Sequence, residues 1–151
     1  MKTSTEGVNQ IKLFEGFRAL PYKDSGGKLT VGYGHLIVPG DGCVAGSPIA
    51  ASQATGLLVN DLAEAELIVN KFVIVPLEQH QFDALVSFVY NLGGTNFAHS
   101  TLLVKLNKGD FVGAAAEFPK WDHVNGVPNQ GILNRRNREQ ACFVDGVYYT
   151  I

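Results

Sequence analysis

Long hydrophobic runs are missing from this sequence. No stretch approaches the roughly 18 unbroken apolar residues of a membrane helix, so stable membrane insertion is not expected. The opening residues, MKTSTEGVNQIKLFEGF, lack the apolar run of a signal peptide, which predicts a chain that starts in the cytoplasm. A large excess of either charge is also missing. The formal net charge is −2, which argues against a nucleic-acid partner. There are two cysteines, Cys43 and Cys142, and they read as reduced thiols; the close Cα approach that a disulfide needs has no sequence signature. His35, His80, His99 and His123 pair with no His or Cys at a zinc-site spacing, so no metal site is expected. Repeats and low-complexity tracts are absent. What is present, 46% hydrophobic and 17% charged residues over 151 positions, suits one soluble domain (1–151) with a real core.

The punctuation then divides the chain. Thr3-Ser4-Thr5-Glu6 reads as a capping box with Thr3 at the N-cap, and Val8, Ile11 and Phe14 follow at helical spacing up to a stop at Gly16. This predicts a first helix over 4–15 with Glu15 in its last turn. From Phe17 to Val38 the pattern changes to alternation around a Ser25-Gly26-Gly27 turn, which predicts a small antiparallel sheet. Residues 39–51 are an irregular connection. Ser52 reads as the cap of a long helix to about Phe72, buried along Leu58, Leu62, Ala65 and Val69. Further helices are predicted over 78–92, stopped by Gly93-Gly94, over 101–107 and 111–117, capped by Ser100 and Asp110, and over 132–144, after a loop at 122–131. The class is α+β: a sheet lobe over about 16–51, and a helical lobe over about 52–151 that includes the first helix, with a cleft between them.

Most of the fourteen carboxylates have ordinary explanations: Asp61, Glu64, Glu66 and Glu78 read as solvated helix faces, and Asp110 as a cap. Glu15 and Asp24 differ, because they flank the helix-to-sheet junction where the chain reverses. At a helix C-terminus the dipole opposes a negative charge, and so would burial in a cleft; both favour Glu15 as an acid, while Asp24 beside a polar turn stays ionised. Two carboxyl groups driven apart in this way suit acid/base work on a glycosidic bond. Taken alone, such a pair is more often structural, and Thr30 across the turn is an ordinary β-branched strand residue that could also fix a water. Gly32-x-Gly34 opens no helix and is no dinucleotide fingerprint; it is either a bulge or a place where a bulky ligand meets bare strand. His35 could serve as a base but reads better as a structural imidazole, with Asp61 on the long helix as its ion-pair partner. Arg135-Arg136-Asn137-Arg138, too short a basic cluster on a net acidic chain to favour nucleic acid, reads better as a helix that turns one Arg towards Glu15. Trp121 reads as core, with a sugar-stacking ring as the alternative, and Tyr90-Asn91 as polar tips reaching the cleft.

Three segments in this order, FEGFRALPYKDSGGKLTVGYGH, QFDALVSFVYNLGGTNFAHSTLLVKLNKGD and FPKWDHVNGVPNQGILNRRNREQACF, resemble the phage lysozymes (endolysins) of glycoside hydrolase family 24. The resemblance covers nearly the whole chain. It implies a lysozyme-like fold and a muramidase that cuts the β-1,4 bond between N-acetylmuramic acid and N-acetylglucosamine in peptidoglycan, without metal or organic cofactor. It implies Glu15 as general acid, Asp24 and Thr30 as holders of the attacking water, and Gly34, Leu36, Tyr90 and Asn91 as lining of the saccharide cleft. His35 with Asp61, and Arg135 near the catalytic Glu, are implied as structural. The intact Thr30 points to an inverting reaction. The implied setting is a monomer made in the host cytoplasm that reaches the periplasm and wall through a holin-type lesion at lysis. A wall-binding or effector protein with a degenerate site and a lytic transglycosylase are the alternatives. Many members are basic; this chain is not.

Overall fold

The computed structural model describes all 151 residues. Helix α1 (Thr5–Glu15) leads into a three-stranded antiparallel sheet, β1 (Arg18–Lys23), β2 (Leu29–Gly32) and β3 (His35–Leu36), in that spatial order. The long α2 (Ala51–Phe72) follows, then α3 (Gln79–Leu92), α4 (Gly94–Ala98), α5 (Thr101–Asn107) and α6 (Phe111–Glu117). A 3₁₀ turn (Phe118–Lys120), a short hairpin of β4 (His123–Val124) and β5 (Val127–Pro128), and α7 (Gln130–Asp145) complete the chain. Two apolar clusters hold it together. The larger, of 21 residues, is centred on α3, where Phe88 meets Phe97, Phe118 and Trp121 edge-on; Trp121 is thus packed on the core, as expected. The smaller, Val31, Ile49 and Ala54, seats the sheet against the start of α2. The same α2 presents Leu58, Leu62, Ala65 and Val69 to the larger cluster, so one helix serves both lobes.

Several boundaries differ from the sequence expectation, each for a local reason. The N-cap of α1 is Ser4, whose hydroxyl accepts from the Gly7 N–H and donates to Asp83. Thr3 is drawn away, because its N–H and hydroxyl both donate to Glu66 Oε1, at 2.9 and 2.7 Å. The cap of α2 is Ala50, not Ser52; its carbonyl accepts from the Ala54 N–H, and backbone alone closes the first turn. Only Gly93 acts as a stop after α3. Gly94 opens α4, where a Cβ would stand 2.4 Å from Ile68 Cδ1, so its missing side chain serves a close helix contact. The 122–131 segment is not a plain loop: Asn125 and Gly126 both adopt positive φ, the two-residue hairpin turn that Asn-Gly favours. Asn129 then caps α7 two residues ahead of the expected start.

Glu66 is not on a solvated face. It is buried, with Lys2 Nζ at 3.1 Å in addition to Thr3. Burial alone would raise its pKa; the hydrogen bonds from Thr3 and the Lys2 ammonium outweigh that and hold it below the ordinary 4.5. A lowered carboxylate pKa stabilises the fold above the ordinary value, and the contribution fades as pH falls through the folded value. Glu66→Gln should therefore unfold at lower denaturant than wild type at pH 7, with the gap closing below about pH 4.5. Urea melts across that range check it; a gap that is independent of pH would refute the ionic account.

Candidate active site

Glu15 is the last residue of α1, which stops because Gly16 turns to a φ of +72°. Its side chain is 22% exposed and divided between two tasks. Oε1 accepts from Arg135 Nη1 at 2.8 Å. Oε2 faces Gly34, where a Cβ would stand 3.5 Å away and where φ is +82°. One oxygen is thus anchored, and the other opens over bare backbone. Phe14 stacks beneath the Arg135 guanidinium, which helps to fix both partners of the pair.

Asp24 follows the last residue of β1, and Thr30 lies on β2, paired in register with Tyr22. Asp24 Oδ1 accepts from the N–H groups of Gly26 and Lys28, at 2.9 and 2.8 Å, so the turn itself holds the carboxylate; Oδ2 accepts nothing from the protein. The Thr30 hydroxyl donates to the Lys28 carbonyl at 3.0 Å, which leaves its lone pairs as acceptors. Both groups therefore present acceptors only, on a turn whose backbone is closed by Asp24 N–H to Lys28 O.

Gly34, His35, Leu36, Asn60, Asp61, Glu64 and Tyr90 line one groove of about 540 Å³ between β3, α2 and α3. Burial raises the pKa of the Tyr90 phenol, and the Glu15 and Asp61 carboxylates add to it, so all three groups share one field. Asn91 is not in this groove. It opens on the other side, with Trp121, His123 and Asn125, and its carboxamide oxygen accepts from Arg136. Its side chain is committed to a buried guanidinium, which takes it out of the groove that holds Gly34, Leu36 and Tyr90. His35 does pair with Asp61, Nδ1 to Oδ2 at 2.8 Å, and it has a second partner that sequence reasoning missed, Asp41, at 2.9 Å from Nε2. Burial alone would lower the His35 pKa, but the hydrogen bonds to Asp41 and Asp61 prevail and raise it.

The family model described as "Phage lysozyme" matches residues 12–139. The chain belongs to the phage lysozyme family. It is 42% identical over 147 residues to the endolysin of Acyrthosiphon pisum secondary endosymbiont phage 1, covering 95% of this chain and 98% of that one. Among solved structures, the endolysin from Escherichia coli O157:H7 phage FAHEc1 superposes with a TM-score of 0.91 at 38% identity, over 99% of this chain and 98% of its own. The muramidase domain of SpmX from Asticaccaulis excentricus superposes at 0.86 and 35% identity, over 95% and 97%. The fold is lysozyme-like, and the protein is a glycoside hydrolase of the lysozyme type.

Behind Glu15 this lysozyme carries a polar cluster that the sequence reading left without a role. Glu139, fully buried, accepts from Ser87 Oγ at 2.8 Å, Arg135 Nε at 3.0 Å and Arg136 Nη1 at 2.5 Å. Arg136 also donates to Asn91 and to the Trp121 carbonyl. On α7, Glu139 stands four residues after Arg135 and three after Arg136, so all three meet on one face, a spacing that a solvated face would show equally.

Proposed function

We propose that this lysozyme hydrolyses the β-1,4 bond between N-acetylmuramic acid and N-acetylglucosamine in peptidoglycan, with inversion, for lysis of a bacterial host. Glu15 acts as the general acid through Oε2, delivering its proton to the glycosidic oxygen from the side open over Gly34. Asp24 Oδ2 and the Thr30 hydroxyl each accept one hydrogen of the attacking water. A water held by two acceptors keeps a lone pair for the anomeric carbon, and single displacement on that carbon inverts it. Gly34, Leu36 and Tyr90 line the saccharide path. The reaction uses no metal or organic cofactor, and the enzyme works as a monomer. It is made in the host cytoplasm and gains the wall through a holin-type lesion; no helix is long and apolar enough to cross a membrane.

The observation that carries this reading is the hydrogen bonding of the turn: Asp24 Oδ1 and the Thr30 hydroxyl hydrogen are taken up by turn backbone, which leaves Asp24 Oδ2 and the Thr30 lone pairs as acceptors. A lytic transglycosylase needs no such water site. The names of the relatives, endolysin and muramidase domain, support peptidoglycan as the substrate. Digestion of purified peptidoglycan, followed by mass spectrometry, is the test. Reducing N-acetylmuramic ends are expected, and early NMR spectra should show the α anomer first. Fragments lighter by one water make the enzyme a transglycosylase, a β anomer first refutes inversion, and no fragments at all leave a wall-binding protein.

A further inference from the structure

A second cluster of chemically capable side chains joins β3 to the loop that follows it. His35, Asp41 and Cys43 bring an imidazole nitrogen, a carboxylate oxygen and a thiol sulfur within 4.8 Å of one another. We propose that these three side chains bind a thiophilic divalent cation of the zinc class, with Asp61 as the group that orients the histidine.

Each donor is held by contacts the fold already makes. Asp61 Oδ2 accepts from His35 Nδ1 at 2.8 Å, so the ring turns its Nε2 to the loop. A carboxylate behind the imidazole is the usual support of a zinc-bound histidine, because it fixes the tautomer and raises the basicity of the other nitrogen. Asp41 Oδ2 is oriented by the Val38 N–H at 2.7 Å, and Oδ1 by the Cys43 N–H at 2.9 Å. The second of these bonds also sets Cys43 beside its carboxylate. The His35 and Asp41 side chains are largely shielded, 10% and 8% exposed, and Cys43 is half-buried against the small apolar cluster.

The spacing suits a small tetrahedral ion. Nε2 and Oδ2 are 2.9 Å apart, whereas nitrogen and oxygen ligands on zinc stand about 3.3 Å apart and nitrogen and sulfur about 3.6 Å apart. The nitrogen and oxygen would open by a few tenths of an ångström as the cation takes the place of their shared proton, and the sulfur would close in. Three protein ligands leave the fourth position to water. A thiolate with an imidazole selects zinc-like ions over magnesium or calcium, which take oxygen ligands. Spacing along the chain hides the site, because His35 and Cys43 are eight positions apart with no second Cys or His nearby. Its place gives it a consequence. The ion would tie the 37–43 loop to β3 and, through Asp61, to α2, beside the groove that holds Gly34 and Tyr90.

Cobalt(II) is the probe, because a thiolate ligand gives it a near-ultraviolet charge-transfer band. Reduced wild-type enzyme should bind one equivalent with that band and with the ligand-field intensity of a four-coordinate ion, and zinc should displace it. Cys43→Ser should lose the band while keeping its far-ultraviolet circular dichroism. Asp61→Asn, with all three donors intact, should bind cobalt roughly 10–100-fold more weakly. Zinc in large excess over its Kd should raise the wild-type melting temperature by a few degrees and leave Cys43→Ser unmoved. No thiolate band at stoichiometric cobalt, or a band that survives in Cys43→Ser, overturns the proposal.

Discussion

Glu15→Gln should stop the release of soluble fragments from purified peptidoglycan while leaving the protein folded and able to bind it. A positioned general acid contributes about 10²–10⁴-fold to rate, and an amide cannot supply the proton. The fall should appear in kcat, because the proton is needed only as the bond breaks. The substitution is gentle on structure. Gln keeps the length of Glu, and its carbonyl oxygen can still accept from Arg135 Nη1, now 2.8 Å from Oε1. What is lost is the charge half of a partly exposed pair, a modest contribution. Sedimentation with purified walls, a thermal melt and fragment analysis separate the three properties. Residual cleavage within about tenfold of wild type would remove Glu15 from the acid role.

Glu15→Asp sharpens the same argument. It keeps the acid but draws the carboxyl back by one methylene, about 1.5 Å, away from the opening over Gly34. Misplacement on that scale costs roughly 10²-fold. Activity should therefore be strongly reduced though a carboxylic acid remains.

Why Glu15 could be singled out from sequence, and Glu139 could not, has a physical explanation. Glu15 sits at a break in periodicity, where helical spacing ends at Gly16 and strand alternation begins, so its position is marked by the chain around it. The same holds for Ser100 and Asp110, whose side chains cap α5 and α6 where their residue types predict. Local chemistry dictates such features. Glu139 lies in mid-helix among polar residues, where a solvated face and a buried network look alike until the partner helix is in place. Ser87 and Asn91, on α3, supply that partner surface, and no short-range pattern joins α3 to α7.

Competition between partners explains the other gaps. Thr3 is as good a cap as Ser4 by residue type, and the distant Glu66 carboxylate decides between them. Asn91 looked free to reach the cleft, and Arg136 claims it. Asp41 carried no signal at all in an irregular glycine-rich loop, yet it is the second partner of His35. The alternating and helical patterns describe which residues point inward. They do not rank two polar groups that seek the same partner, and most of the site is made of such choices.

Glu139→Leu should cost about 3–5 kcal/mol, the penalty for removing one partner from a buried ionic cluster. The carboxylate is fully buried, and three donors end on it. Without it, Arg135 keeps Glu15, but Arg136 keeps only neutral acceptors, the Asn91 carboxamide and the Trp121 carbonyl. Burial already pulls the Arg136 pKa down, with Glu139 its main support against that pull. A loss of this size is a large share of the about 5–15 kcal/mol by which domains are stable. The denaturant midpoint should fall with an unchanged slope. If the penalty comes from the stranded charge rather than from the lost contacts, a second substitution should recover much of it. Arg136→Met in the Glu139→Leu background replaces the pair by apolar groups of similar volume, and such replacements are often neutral or stabilising. The double variant should therefore be more stable than Glu139→Leu alone, a coupling that equilibrium melts of the four proteins measure directly. A double variant less stable than either single one would mean that the cluster holds by shape, with its charges incidental.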